Sequence, residues 1–234
     1  MKIASIFSIV VVDARAIFIL FNLAYLITSK TPSLGLIILF IGGAKLSQLS
    51  LTCSSALLIG IPVLLSREYR RQRVLSFFGL GDNPDIGYQA QQSLISLGNG
   101  GLLGTGLGNS IEKNHFLPTP HTDFIFAIIG EELGFLIGTV PVLTLFLLIF
   151  FQGVKIAKNC NDPFGVFLSI GIATNFILYA FVNAAVVTGL LPVTGLPMPM
   201  VSYGGSGMII NMSLIGILLN ISQAKRVVGD NGWI

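Results

Sequence analysis

The stretch 116-FLPTPHTDFIFAIIGEELGF-135 is greasy enough for a membrane helix, yet it carries Asp123 at its entrance and Glu131 and Glu132 inside it. These are three of only ten acids in a chain of 234 residues that is 53% hydrophobic and 10% charged. A soluble domain has about a quarter charged residues, and a mean hydropathy of +0.85 sets this chain apart from that class. Apolar runs near the ~20 residues needed to cross a bilayer recur along it. They are continuous rather than alternating, which excludes a lipid-facing barrel. The fold class read from this is all-α: a polytopic membrane helical bundle forming a single domain over residues 1–234, with one long external loop, 67–122, containing short or re-entrant helices.

About six spans can be marked, at roughly 3–27, 33–48, 50–66, 124–151, 164–190 and 206–223. The second and third share a weak boundary at Ala44–Ser47. Met1-Lys2 before an apolar run resembles a signal peptide, but Asp13 and Arg15 interrupt it and no small-residue cleavage site is clear, so an uncleaved first span is expected. Cys53 and Cys160 are isolated and form neither a disulfide framework nor a metal site. The net charge of +3 is spread along the chain and gives no reason to expect a nucleic-acid partner.

Lys155 and Lys158 follow the fourth span, and Lys225 and Arg226 follow the last, so the positive-inside rule puts both ends, and hence the C-terminus, in the cytoplasm. The polar region 67–122 and the loop 191–205 then lie outside. The long region holds Arg67, Arg70, Arg71 and Arg73 against that rule, although long loops translocate largely regardless of charge. An anionic external ligand would give these arginines a purpose. Contact with lipid head groups is the plainer alternative.

Placed on one helix at about 100° per residue, residues 123–138 put Asp123, Ala127, Gly130, Gly134 and Gly138 on one narrow face, with Glu131 at its margin. Glu131 falls about 12 Å along the axis from Asp123. A stripe of small residues lets another backbone approach closely or lines a cavity. Asp123 itself has two readings: an N-cap for free backbone N–H groups, or a functional group, since ionisable residues in membrane segments generally face interiors or pathways.

These residues also carry a resemblance. FLPTPHTDFIFAIIGEELG, preceded by GNGGLLGTGLGNSIEK, is similar to the signature of the SEDS family (FtsW, RodA, SpoVE), and closer to the FtsW/SpoVE branch. YRRQRVLSFF (69–78), GYQAQQS (87–93) and GLLPVTGLPMPMVSYGGSGMIINMSLIGILLNIS (189–222) agree, in the family's order, so that about residues 30–226 are covered. The resemblance implies a peptidoglycan glycosyltransferase that polymerises lipid II at the outer face of the cytoplasmic (inner) membrane, in cell division or cell-shape maintenance. It implies Asp123 as the catalytic residue. It also implies a class B penicillin-binding transpeptidase partner alongside division or elongation proteins. There are departures: the N-terminal spans are mostly missing, the PDLGT motif reads Pro32-Ser33-Leu34-Gly35-Leu36, and Thr119 replaces the glutamate after LP.

Glycan polymerisation needs a sugar hydroxyl to attack an anomeric carbon that bears a lipid diphosphate. The diphosphate leaves readily, so one general base suffices where hydrolases that expel an alcohol use two carboxyl groups. A carboxylate near its ordinary pKa of about 3.9 is ionised at neutral pH and can accept that proton. Arg67, Arg70, Arg71, Arg73 and Lys113 are candidates to meet the diphosphate. The matched motifs add Gln92, His121, Glu131, Ser202 and Tyr203 as candidate substrate contacts.

Three further features invite readings that fail or stay open. The patch Gly98–Gly108 fits neither G-x-x-x-x-G-K-[ST] nor G-x-G-x-x-G in a strand–turn–helix context, so a compact, bending or re-entrant element is expected there, with at most a weak hold on a diphosphate. His115, His121 and Asp123 lack a further ligand nearby, so no protein-bound metal and no covalent cofactor are expected, though a divalent cation could accompany the lipid diphosphate. Leu191-Pro192-Val193-Thr194-Gly195 mimics a sorting motif, but it is fed directly by a span. Its prolines instead suggest irregular backbone that packs near Asp123 and shapes a cavity, or else a structural turn.

Two rivals to the enzyme reading stand: a flippase for the same lipid, and an inactive scaffold for a transpeptidase partner. A flippase needs a polar route through the bilayer, whereas the titratable groups here gather at one edge.

Overall fold

The structure, a computed structural model, describes residues 68–78, 80, 84–112 and 121–230, together with positions 40, 47, 50, 51, 54 and 58. By its internal contacts the chain divides into two units, Met1–Glu68 and Tyr69–Ile234. In the first, the described positions are helical. The hydroxyls of Ser50 and Ser54 bond back to carbonyls three and four residues earlier, as hydroxyls do inside apolar helices. The expected spans at 3–27, 33–48 and 50–66 otherwise lie outside the described residues.

The rest of the chain forms α1 (Glu68–Phe77), α2 (Pro84–Gly100), α3 (Ile125–Gly134), a π-helical turn (Phe135–Thr139), α4 (Val140–Asn159), α5 (Pro163–Val187) and α6 (Gly205–Asp230). No strand occurs among the described residues. Both α1 and α2 fall in the polar 67–122 region, which was expected to hold short helices. Three stretches are long and apolar enough to cross a membrane: Ile125–Asn159, Pro163–Val187 and Gly205–Gln223. They coincide with the expected spans at 124–151, 164–190 and 206–223. The first continues past 151 to Asn159, with Lys158 in the last turn, where a cation suits the helix dipole.

α4 and α5 form a tight hairpin. Asp162 caps α5 by accepting the Gly165 N–H at 2.9 Å, and Pro163 supplies a preset φ at the first helical position. Gly153 lies against Ala173 so closely that a side chain there would overlap it. Phe124, Phe126, Phe146, Ile172, Phe176, Val187 and Met198 make the core. The outer faces of α4 and α6 expose Leu145, Leu148, Phe151, Ile209, Ile210 and Leu219, the distribution of a helix surrounded by lipid.

The straight helix over 123–138 does not form. Gly134 adopts φ 78°, ψ 177°, a conformation open essentially to glycine alone, and the chain changes course there. Unbroken, 125–159 would measure about 52 Å, while 135–159 measures about 37 Å against a hydrocarbon core of about 30 Å. The break therefore sets off a segment sized for the bilayer. Glu131 and Glu132 fall in α3, before it.

The glycine patch satisfies the backbone groups that this break frees. Phe135 and Leu136 donate their N–H groups to Gly101 O (3.0 Å) and Leu102 O (3.1 Å), while Thr105 and Gly106 donate to Glu131 O and Glu132 O, each at 2.9 Å. Gly104, at φ 83°, and Gly134 meet backbone to backbone, and a Cβ on either would overlap the other's segment. Gly100 likewise packs on Gly130. The small-residue stripe therefore serves close backbone approach. The N–H groups of Thr105 and Gly106 are engaged within the protein, which removes them from any phosphate cradle.

Candidate active site at the 121–124 turn

Residues 121–124 form a turn ahead of α3, anchored by Phe124, which is 2% exposed in the core. Three consecutive carbonyls of this turn are each held from elsewhere in the chain. His121 O accepts from Tyr203 N–H at 2.9 Å, Thr122 O from the Ser202 hydroxyl at 2.6 Å, and Asp123 O from the Asn183 carboxamide at 2.7 Å. The straps come from α5 and from the irregular 188–204 segment that joins it to α6.

That segment is itself braced. Ser202 Oγ accepts the Met198 N–H at 2.7 Å while donating to Thr122. The second N–H of the Asn183 carboxamide holds Leu196 O at 2.8 Å. Arg73, from α1, donates to Val193 O at 2.9 Å. The prolines keep this backbone out of a helix, and these bonds supply the partners it would otherwise lack.

Asp123 is half-buried, and its carboxylate does not cap α3. That helix begins at Ile125 with Phe124 at the cap position and no side-chain capping bond. Among the described residues no donor is bonded to the Asp123 carboxylate. The N-cap reading therefore lapses: the main chain of Asp123 is held and its side chain is left available.

The other candidates fall into separate groups. His121, in the strapped turn, and Tyr203, whose N–H holds it, are exposed, Tyr203 at 82%, whereas Ser202 is buried and engaged as a strap. Arg71 is exposed on α1, Gln92 is half-buried on α2, and Arg73 is tied to the 188–204 segment. For Arg70 only the backbone is described. Arg67, Lys113, His115 and Thr119 lie outside the described residues. Among the described residues no group of three His, Cys, Asp or Glu side chains could hold a metal.

Glu131 is not placed as a substrate contact. It is 0% exposed, and its carboxylate accepts from Ser96 Oγ (2.9 Å), Ser110 Oγ (2.5 Å) and Ile111 N–H (3.1 Å). It clamps the end of the glycine-rich loop onto α3. Glu112, beside it, is 5% exposed, and its Oε2 has no hydrogen-bond partner. Burial, and then the charge of Glu131, push the Glu112 carboxyl above the ordinary carboxylate range.

Sequence reasoning missed Asn183. The legible signal was a carboxamide inside an apolar span, which seldom lacks a partner. Which backbone it held was invisible, because its partners are 60 and 13 residues away.

Comparison with known proteins agrees with this architecture. The family model for cell cycle proteins of the FtsW/RodA/SpoVE type matches residues 3–227, extending the likeness to the N-terminal residues that the motifs left unplaced. A "Probable peptidoglycan glycosyltransferase FtsW" of Geobacter sulfurreducens is 42% identical over 218 residues, covering 89% of this chain and 58% of that protein. "Stage V sporulation protein E" of Bacillus subtilis is 38% identical over 213 residues, covering 87% and 58%. A solved structure described as "Structural coordination of polymerization and crosslinking by a peptidoglycan synthase complex" aligns with a TM-score of 0.64 at 27% identity, over 82% of this chain and 53% of that one. The chain thus spans little more than half the length of the curated relatives it matches.

Proposed function

Because this chain is a helical membrane protein that belongs to the FtsW/RodA/SpoVE family of cell cycle proteins, we propose that it is a peptidoglycan glycosyltransferase that joins lipid II units into glycan strands. The observation that carries this reading is the Asp123 carboxylate, left available on a turn with three consecutive carbonyls strapped. A base held this way meets its substrate with little reorganisation.

In the proposed step, Asp123 takes the proton of the acceptor sugar hydroxyl as its oxygen attacks the donor's anomeric carbon. The bond from that carbon to the diphosphate oxygen breaks, its electron pair leaves with the lipid diphosphate, and the anomeric configuration inverts. Arg71, with Arg67, Arg70 and Lys113, supplies positive charge for the leaving group. A divalent cation carried by the diphosphate belongs to the substrate. The site faces the outside of the cytoplasmic membrane with the C-terminus inside, and a transpeptidase crosslinks the product.

The burial of Glu131 argues against the flippase alternative, since this carboxylate, eight residues beyond Asp123, is closed off by two serines and a backbone N–H. Purified protein in vesicles, given labelled lipid II, tests the reading. Glycan strands that disappear in Asp123→Asn support it. Translocation without polymer would establish the flippase, and neither outcome would leave the scaffold role.

A further inference from the structure

We infer that Asn183 is a positioning residue for Asp123, a role that rests on the proposed base chemistry. Its carboxamide joins α5 to both the 121–124 turn and the 188–204 segment. It is 1% exposed, and it donates to Asp123 O at 2.7 Å and to Leu196 O at 2.8 Å. Both partners are carbonyl oxygens, so only the NH2 end can face them and the orientation of the amide is fixed. No other residue type of this size offers two donors from one atom. Aspartate, its isostere, would turn an anion towards two carbonyl oxygens. Leucine would leave both carbonyls buried without a donor.

The remaining amide oxygen, Oδ1, is buried with no hydrogen-bond partner. An amide retained at that cost in an apolar span is there for the bonds it makes. One of those bonds falls on the main chain of Asp123 itself, so Asn183 sets where the carboxylate emerges. The other falls on the segment that supplies the Ser202 and Tyr203 straps, so the same side chain also sets the spacing on which those two bonds depend.

The test uses Asn183→Asp and Asn183→Leu in the full chain reconstituted in vesicles, with two readouts. The first is hydrogen exchange at the Tyr203 amide, whose bond to His121 O reports the spacing between turn and segment. The second is lipid II polymerisation. In both variants we expect exchange at Tyr203 to quicken at least about tenfold while α4 and α5 keep their protection. We expect kcat to fall by about 100-fold, the scale of a displacement of about 1 Å at a reacting group, with KM little changed. In Asn183→Asp the lost rate should partly return as pH falls, because protonation gives the introduced carboxyl back one donor. Unchanged Tyr203 exchange, or kcat within about twofold of the parent in both variants, would overturn the positioning role. Failure of the underlying base chemistry is separately visible, as an Asp123→Asn protein that polymerises like its parent.

Discussion

Ser110 donates its hydroxyl to the buried carboxylate of Glu131 at 2.5 Å, joining the end of the glycine-rich loop to α3 across 21 residues of chain. With Ser96 and the Ile111 N–H on the same carboxylate, this bond fixes the loop over the helix break. Glu131 is thus an architectural acid, and Asp123, eight residues earlier, is the available one.

Glu131→Ala should therefore damage folding. Removing an acceptor that serves two buried hydroxyls and a part-buried N–H is expected to cost about 3 kcal/mol or more. Ser110→Ala, which removes one donor, should cost about 1–3 kcal/mol. Thermal unfolding in detergent, followed by helicity, measures both. A Glu131→Ala protein as stable as the parent would refute the clamp.

Asp123→Asn should behave in the opposite way. No described group is bonded to that carboxylate, so the change in stability should stay within about 0.5 kcal/mol. Under the proposed base chemistry, polymerisation should fall by about 10²–10⁴, the usual range for loss of a general base. Measuring unfolding and turnover on the same preparation separates the two effects.

Glu112 gives a pH dependence whose sign follows from its raised pKa. The unfolded carboxyl titrates near the ordinary 4.5 and the folded one above it. Between those values the folded state keeps a proton that the unfolded state has released, so stability declines as pH rises through that window and levels off above it. Glu112→Gln should flatten the decline and exceed the parent's stability at neutral pH. Unfolding temperature against pH for the two proteins checks this, and parallel curves would count against a buried, proton-retaining Glu112.

Gly134→Ala combines a strained φ with backbone overlap against Gly104, and should destabilise by about 2–3 kcal/mol or more. Gly98→Ala, inside α2 with open space around it, should instead be neutral or stabilise by up to about 1 kcal/mol. Equal unfolding temperatures for the two variants would contradict the close approach of the 101–106 segment to the break.

Much of this was legible in the sequence for a simple reason: crossing a bilayer demands long uninterrupted apolar runs, and such runs reveal themselves locally. The runs at roughly 124–151, 164–190 and 206–223 needed no knowledge of their neighbours, and neither did the oddity of Asp123, Glu131 and Glu132 within so apolar a setting. The stripe Ala127, Gly130 and Gly134 likewise announced either a close backbone approach or the lining of a cavity. What approached it could not be read. Only the tertiary structure brought Gly101–Gly106 to the break at Gly134, because those hydrogen bonds join segments about thirty residues apart. The same holds for the division of labour among the acids. Asp123 and Glu131 are alike in sequence context, and what distinguishes them is where Ser96, Ser110, Asn183 and Ser202 arrive from distant parts of the chain. A carboxylate's role depends on the donors that surround it, and those are set by packing rather than by its neighbours in sequence.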